Sequence, residues 1–207
     1  MKKIVFIGAG SIIFVKNLIG DCMLTPSLCD SEFALLDINR EKLYLAEGML
    51  KNLNRNVNGG RATVKAGADF VINAIQVGGY DPCIINDFEI PLKYGLRQTY
   101  ADTLGIGGIM RALRTIPVLE DFARDMEAVC PNAWFLNYTN PMSMLTGYML
   151  RYTGVKTLGL CHSVQTCSKT LMDAIGMSDR LEGRRELIAG INHMGWLLDI
   201  RDRDGND

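Results

Sequence analysis

The 207-residue chain has two histidines, and each stands beside a residue with chemistry of its own. Cys161-His162-Ser163 sets a thiol next to an imidazole, and Asn192-His193-Met194 places the second imidazole 32 positions after Cys161. A thiolate and an imidazole suit a divalent ion of the Mn, Fe, Co, Ni or Zn series and hardly suit magnesium. Two protein ligands are too few for a closed structural site and leave positions open to substrate oxygens and water. On these residues alone, a core cysteine and a surface histidine are an equally open reading. A second constellation is Gly8-Ala9-Gly10-Ser11, directly after the apolar run Lys3-Ile4-Val5-Phe6-Ile7. The first glycine permits a tight turn and the second lets backbone approach a pyrophosphate. A helix starting here would offer its unpaired N–H groups and positive dipole end to that phosphate. The third glycine of the dinucleotide fingerprint is replaced by Ile13. Asp37 lies 27 positions after Gly10, beyond the spacing of about 20 typical of the fingerprint. It is either a ribose-hydroxyl acceptor, which would favour NAD over NADP, or the N-cap of the helix that follows.

These groups need a scaffold that brings them to one edge, and the pattern supplies it. Continuous apolar runs at 3–7, 32–38, 61–65, 68–75, 133–137 and 156–161 read as strands buried on both faces. Helical spacing follows Gly10 through Ile12, Val15, Leu18 and Ile19, and recurs near 40–54, 110–129, 141–152 and 165–176. The alternation gives an α/β class: a doubly wound, Rossmann-type parallel sheet, followed by the start of a second, truncated α+β domain. The expected boundaries are 1–162 for the nucleotide domain and 163–207 for the beginning of the next. Strand ends carry polar residues, Gln76-Val77-Gly78-Gly79 and Asn137-Tyr138-Thr139-Asn140-Pro141, where such sheets bind ligands. Gln76 is expected beside the cofactor. Asn140 is either a ligand-facing group or a turn residue. Arg111 and Arg114 are open between facing substrate and capping a helix.

Two joints are irregular. Only Ala66 and Gly67 separate the third and fourth strands, whereas a parallel crossover needs a dozen residues or more. A connecting segment is therefore expected to be missing near 66. Trp196–Ile200 reads as a strand and Asp204-Gly205 as a hairpin turn, with no returning strand in the sequence. The expectation is an N-terminal part of a longer protein.

Composition narrows the partners. Twenty-two basic against 23 acidic side chains leave a net charge of -1, which argues against nucleic acid or a charged membrane surface. No apolar stretch of about 18 residues exists to span a membrane, and the apolar run at the N-terminus is too short for a signal peptide. A cytoplasmic protein is expected, with Cys22, Cys29, Cys83, Cys130, Cys161 and Cys167 as reduced thiols.

Six motifs occur in order: Gly8-Ala9-Gly10-Ser11, Asp102-Thr103-Leu104-Gly105-x-Gly107-Gly108, Arg111-Ala112-Leu113-Arg114-Thr115-Ile116-Pro117, Asn137-Tyr138-Thr139-Asn140-Pro141-Met142, Gly159-Leu160-Cys161-His162-Ser163-Val164 and Gly190-Ile191-Asn192-His193-Met194. Together they resemble glycoside hydrolase family 4, over essentially the whole chain. NAD-dependent members of that family stand outside the two-carboxylate glycosidase mechanism. Cys161-His162-Ser163-Val164 looks like the α-galactosidase branch, which acts on melibiose and raffinose; the phospho-glycosidase branch usually carries Asp or Asn after the cysteine.

The resemblance implies that Cys161 and His193 ligate Mn²⁺ or another divalent transition metal, that NAD sits over Gly8, Ala9, Gly10, Ser11, Asp37 and Gln76, and that Asn140 holds sugar hydroxyls. His162 stands where phospho-α-glucosidases place a proton-donating Asp, and an imidazole with a pKa of about 6.5 is capable of that role. The implied chemistry is hydride transfer from sugar C3 to NAD⁺, loss of the acidified C2 proton, elimination of the glycosidic oxygen, addition of water and return of the hydride. The family's base is a tyrosine downstream of this region, so these residues are expected to bind NAD but turn over slowly or not at all. A homo-oligomer is implied for the full-length protein. Two alternatives stand beside this reading: a lactate- or malate-type NAD-dependent dehydrogenase, and a nucleotide-binding fragment without turnover.

Overall fold

Lys3–Ile7 forms β1, the strand on which both halves of the sheet are built. The structure, a computed structural model, describes residues 2–37, 40–62, 69–99, 103–180 and 182–206. Five parallel strands run in the order β2-β1-β3-β4-β5, with β2 at Glu32–Leu36, β3 at Phe70–Asn73, β4 at Trp134–Asn137 and β5 at Lys156–Gly159. Helices cover both faces: α1 (Ile12–Leu24) and α2 (Arg40–Asn58) on one, α4 (Ile106–Val129) and α5 (Met142–Tyr152) on the other. Between β3 and α4 lies α3 (Ile85–Lys93), after an irregular turn at Gly79–Ile84.

Two-sided cover explains the unbroken apolar runs. Ile4 and Phe6 enter one core with Val15, Ile19, Phe33 and Leu50, while Val5 and Ile7 face the other with Leu119, Met126, Phe135, Leu145 and Met149. Successive strand residues point to opposite faces, so a strand sandwiched between helix layers must be apolar at every position. The doubly wound class expected from the sequence is the one found. The expected strand at 61–65 falls, from residue 63 on, outside the described residues, as does the 66–67 junction; Arg61 and Ala62 are in no strand. Two elements were not expected. One is α3, which holds Pro91 in its last turn and follows a turn that contains Pro82.

The other is β6 (Arg185–Ile191), which pairs antiparallel with β7 (Met194–Arg201) around Asn192-His193. The expected strand at 196–200 is thus present, but its partner precedes it. At Asp204-Gly205 there is instead a local turn, with Gly205 N–H donating to the Asp202 carbonyl at 3.1 Å. The hairpin follows α6 (Ser163–Ala174) and is pinned to it by a compact polar cluster. Ser168 Oγ donates to Glu186 Oε1 at 2.5 Å, and Arg184 Nε lies 2.8 Å from the same oxygen. Trp196 and Leu198 are exposed on β7, at 76% and 61%.

The six cysteines are all free thiols. No helix among the described residues is long and apolar enough to cross a membrane.

Behind the β3 loop sits a buried ionic latch. Asp87 of α3 accepts two bonds from Arg114 of α4, at 2.9 and 2.5 Å, with Arg111 Nε 3.6 Å away. Arg114 Nε also donates to the Val77 carbonyl at 3.2 Å, so the latch fixes the backbone of the loop after β3. The carboxylate bond in turn raises the Arg114 pKa and keeps it charged. Of the two readings left open, facing substrate or capping a helix, the contacts found fit neither directly: Arg111 and Arg114 face Asp87, and Arg114 also holds Val77, clamping two helices and a loop. Replacing Asp87 by alanine leaves the buried Arg111 and the half-buried Arg114 without their shared carboxylate. Asp87→Ala is expected to lower the unfolding free energy by about 3 kcal/mol. Glu47→Ala, which breaks the exposed Lys51–Glu47 pair, is expected to cost less than about 0.5 kcal/mol. Urea unfolding followed by circular dichroism measures both, and equal losses would contradict the latch.

Candidate active site

Because the strands are parallel, every loop that leaves a carboxyl end reaches the same edge. The order reverses at β1, which has β2 on one side and β3 on the other, and a crevice opens at such a reversal. Gly8 turns the chain there, with φ 89° and Ser11 N–H donating to its carbonyl at 3.1 Å. A Cβ on Gly8 would lie 2.5 Å from the Ala74 carbonyl oxygen, so only glycine lets the β1 and β3 loops touch. Ala9 is fully buried in the core below. Ser11 is exposed at the N-cap position of α1, which has no side-chain cap bond. Ile13, at the place of the third glycine, points outward at 78% exposure and does not crowd the sheet.

Asp37 follows directly on the Ile7↔Leu36 pairing, and that register delivers it to the glycine turn. Its Oδ2 accepts the Gly10 N–H at 2.6 Å, and a Cβ on Gly10 would meet this oxygen at 2.7 Å. Neither sequence reading, ribose acceptor or N-cap, anticipated that bond; residues 38–39, where a cap would sit, lie outside the described residues. Gln76 is exposed on the segment beyond β3.

The loops after β4 and β5 form the other half of the site. Asn73 and Asn137, at the ends of β3 and β4, are fully buried and hydrogen-bonded to each other at 2.9 Å. Asn73 also donates to Thr139 Oγ1 at 3.1 Å, and Thr139 Oγ1 donates to the Ile75 carbonyl at 3.2 Å. The two loops are thus tied by side chains as well as by strand pairing. Tyr138 packs edge-on against Phe14, with ring centroids 5.0 Å apart. Burial, with Cys22 beside it, pushes the Tyr138 phenol above its ordinary range.

Cys161 and His193, expected together from the sequence, are brought together. Cys161 Sγ lies 3.5 Å from His193 Nε2. Cys161 comes from the end of β5 and His193 from the tip of the hairpin, where φ is 64°. Ser163 borders the sulfur, its Oγ 3.2 Å and its N–H donor 3.5 Å away. Among the described residues no cluster of three or more His, Cys, Asp and Glu side chains could hold a metal, so the pair supplies two donors and no closed cage. His162 is exposed at the N-cap position of α6, its carbonyl accepting the Thr166 N–H at 3.1 Å. Asn140 is half-buried before a cis peptide to Pro141. Its Oδ1 accepts from Met142 N–H at 3.3 Å and from Asn192 Nδ2 at 3.1 Å, while its Nδ2 has no hydrogen-bond partner among the described residues.

Asn192 and Ser143 join this cluster without having been expected from the sequence. The signal was present in Gly190-Ile191-Asn192-His193-Met194-Gly195, an Asn-led two-residue loop between apolar runs. Asp204-Gly205 was the stronger turn signal and drew the hairpin to the wrong place.

Comparison with known proteins bears on the whole edge. The chain is 59% identical to an α-galactosidase of Bacillus subtilis (strain 168), over 100% of its own length and 49% of that protein's. It is 40% identical to an α-galactosidase of Rhizobium meliloti (strain 1021), over 96% of this chain and 42% of the relative. The chain therefore spans about half the length of these curated relatives. Its fold superposes on the 6-phospho-β-glucosidase of Thermotoga maritima, solved with manganese, NAD⁺ and glucose-6-phosphate, with a TM-score of 0.83 and 25% identity over 99% of this chain and 50% of that one. Residues 3–177 match the family described as "Family 4 glycosyl hydrolase". That stretch carries the glycine turn, Asp37, the β4 loop and Cys161, and the chain belongs to family 4 of the glycosyl hydrolases.

Proposed function

We propose that this chain is the nucleotide- and metal-binding half of an α-galactosidase that works by reversible oxidation of its sugar. The single observation that carries this reading is the Cys161–His193 pair, 3.5 Å apart on the edge that also holds the glycine turn. A nucleotide crevice alone would serve a dehydrogenase equally well. A soft-donor pair beside it supports a metal-assisted reaction, and the identity to two α-galactosidases supports the substrate class.

The residues fit the absent groups. The glycine turn and the uncapped first turn of α1 suit a pyrophosphate, and Asp37 adds a negative charge that suits a ribose hydroxyl and repels a 2′-phosphate. One sulfur and one imidazole nitrogen suit a divalent ion such as Mn²⁺, with further positions left to sugar oxygens. When bound, the nucleotide supplies reversible oxidation at a sugar carbon and the ion supplies Lewis acidity to the neighbouring oxygens. The chain's own side chains do the rest. Asn140 Nδ2 donates to a sugar hydroxyl and fixes the ring against the crevice. His162, at the mouth of the site, gives a proton to the leaving glycosidic oxygen. Gln76 and the latched Val77-Gly78 backbone border the cofactor and fix its distance from the sugar. In this reading residues 1–162 form the nucleotide domain and 163–207 begin a substrate and metal domain, consistent with a hairpin whose Trp196 and Leu198 are bare. The protein acts in the cytoplasm on a small sugar.

Two measurements test this. In calorimetric titration of the 207-residue chain, NAD⁺ is expected to bind at least tenfold more tightly than NADP⁺, and Asp37→Ala is expected to erase the difference. Equal affinities in the unmodified chain would contradict the role of Asp37. Turnover is measured on this chain joined to the second half of the Bacillus subtilis relative. Release of nitrophenol from nitrophenyl α-galactoside is expected to require both NAD⁺ and Mn²⁺, and to stop on chelation and resume on Mn²⁺ addition. Release that ignores the chelator, or metal-free net reduction of NAD⁺ by a 2-hydroxy acid, would contradict the proposal.

A further inference from the structure

The hairpin tip carries more order than a two-residue turn requires. His193 is the one non-glycine residue with positive φ among the described residues, and such outliers persist where their surroundings over-determine them. What over-determines it is Asn192. Its Oδ1 accepts from Ser143 Oγ at 2.5 Å, from Ser143 N–H at 3.2 Å and from Thr103 Oγ1 at 3.4 Å. Its Nδ2 donates to Asn140 Oδ1 at 3.1 Å and lies 3.2 Å from His193 Nδ1. The Ser143 N–H can only donate, so it fixes which end of the amide faces α5 and which faces Asn140 and the imidazole. One side chain thus fastens the hairpin to the first turn of α5 and holds one edge of the imidazole, while the other edge faces Cys161.

We infer that Asn192 is the positioning residue for the cation site: it sets His193 at the distance and angle from Cys161 at which the two share an ion. The inference rests on the reading of Cys161 and His193 as metal ligands. Among the described residues no strand ladder ties the hairpin tip to the β4 and β5 loops, because β6 and β7 pair with each other and not with the five-stranded sheet. The distance between sulfur and imidazole is therefore set by side chains, with Asn192 at their centre. Groups that orient a metal-binding imidazole typically change metal affinity by ten- to a hundredfold when removed.

The test uses Co²⁺ as the probe, titrated anaerobically into the 207-residue chain, with the sulfur-to-cobalt charge-transfer band as readout. Asn192→Ala is expected to weaken Co²⁺ binding at least tenfold and to diminish the band, with NAD⁺ affinity unchanged within twofold. Ser143→Ala removes one anchor from the far side of the amide and is expected to weaken Co²⁺ binding by two- to tenfold. Cys161→Ser separates the inference from its premise. If the unmodified chain binds no Co²⁺, or Cys161→Ser binds it as well, the ligand reading fails. If Cys161→Ser loses the band while Asn192→Ala and Ser143→Ala keep the affinity of the unmodified chain, the positioning role is overturned. Should Asn192→Ala lose NAD⁺ and Co²⁺ alike through damage to the fold, Ser143→Ala decides: unchanged Co²⁺ affinity there overturns the inference.

Discussion

A parallel sheet covered by helices on both faces has one place for its polar chemistry: the edge where the strands end. Phe6 and Phe135 are fully buried, and the middle positions of the central strands β1, β3 and β4 are apolar. Polar residues stand at the strand ends instead, with Lys3, Glu32 and Lys156 at amino ends and Asp37, Asn73 and Asn137 at or just beyond the carboxyl ends. The parallel register then forces loops far apart in sequence to lie side by side. Gly8 against Ala74, and Asp37 against Gly10, are consequences of that register before they are features of a binding site.

The edge has two halves that differ in how they are held. On the side of the glycine turn, backbone does most of the work: glycine contacts, the uncapped start of α1, and a loop whose Val77 carbonyl is latched through Arg114 to Asp87. On the side of Cys161 and His193, side-chain amides do it, through Asn140 and Asn192. The segment 139–143 belongs to both. Thr139 reaches back to the Ile75 carbonyl, and Ser143 reaches forward to Asn192. The proposed chemistry, which moves a hydride and a proton from neighbouring carbons of one ring, would need both halves held at a fixed separation, and this shared segment links them.

Much of this was legible in the residues. Continuous apolar runs gave the strands because two-sided burial leaves no alternative pattern, and Gly8-x-Gly10 gave the turn because its backbone tolerates no Cβ. The pairing of Cys161 with His193 followed from residue type and family resemblance. What escaped was set by tertiary context. Pro91 interrupts the pattern of α3, and Pro82 stands in the irregular turn that leads into it. In β6, Arg185–Ile191 lacks a clean alternation because both faces of the hairpin are largely open to solvent. The Asp37–Gly10 bond depends on strand register, which no local pattern encodes. The contacts of Asn192 have no local signal, since its partners Ser143 and Asn140 lie 49 and 52 positions away.

The claim on which the rest hangs is that the sugar's C2 proton is removed and replaced during cleavage, a step that ordinary glycosidases have no means to perform. The direct measurement is the isotope content at C2 of the galactose released in D₂O with NAD⁺ and Mn²⁺ present, read by mass spectrometry and proton NMR. Deuterium at C2 in essentially every product molecule is the expected result. Galactose that keeps its original hydrogen at C2 would contradict the account.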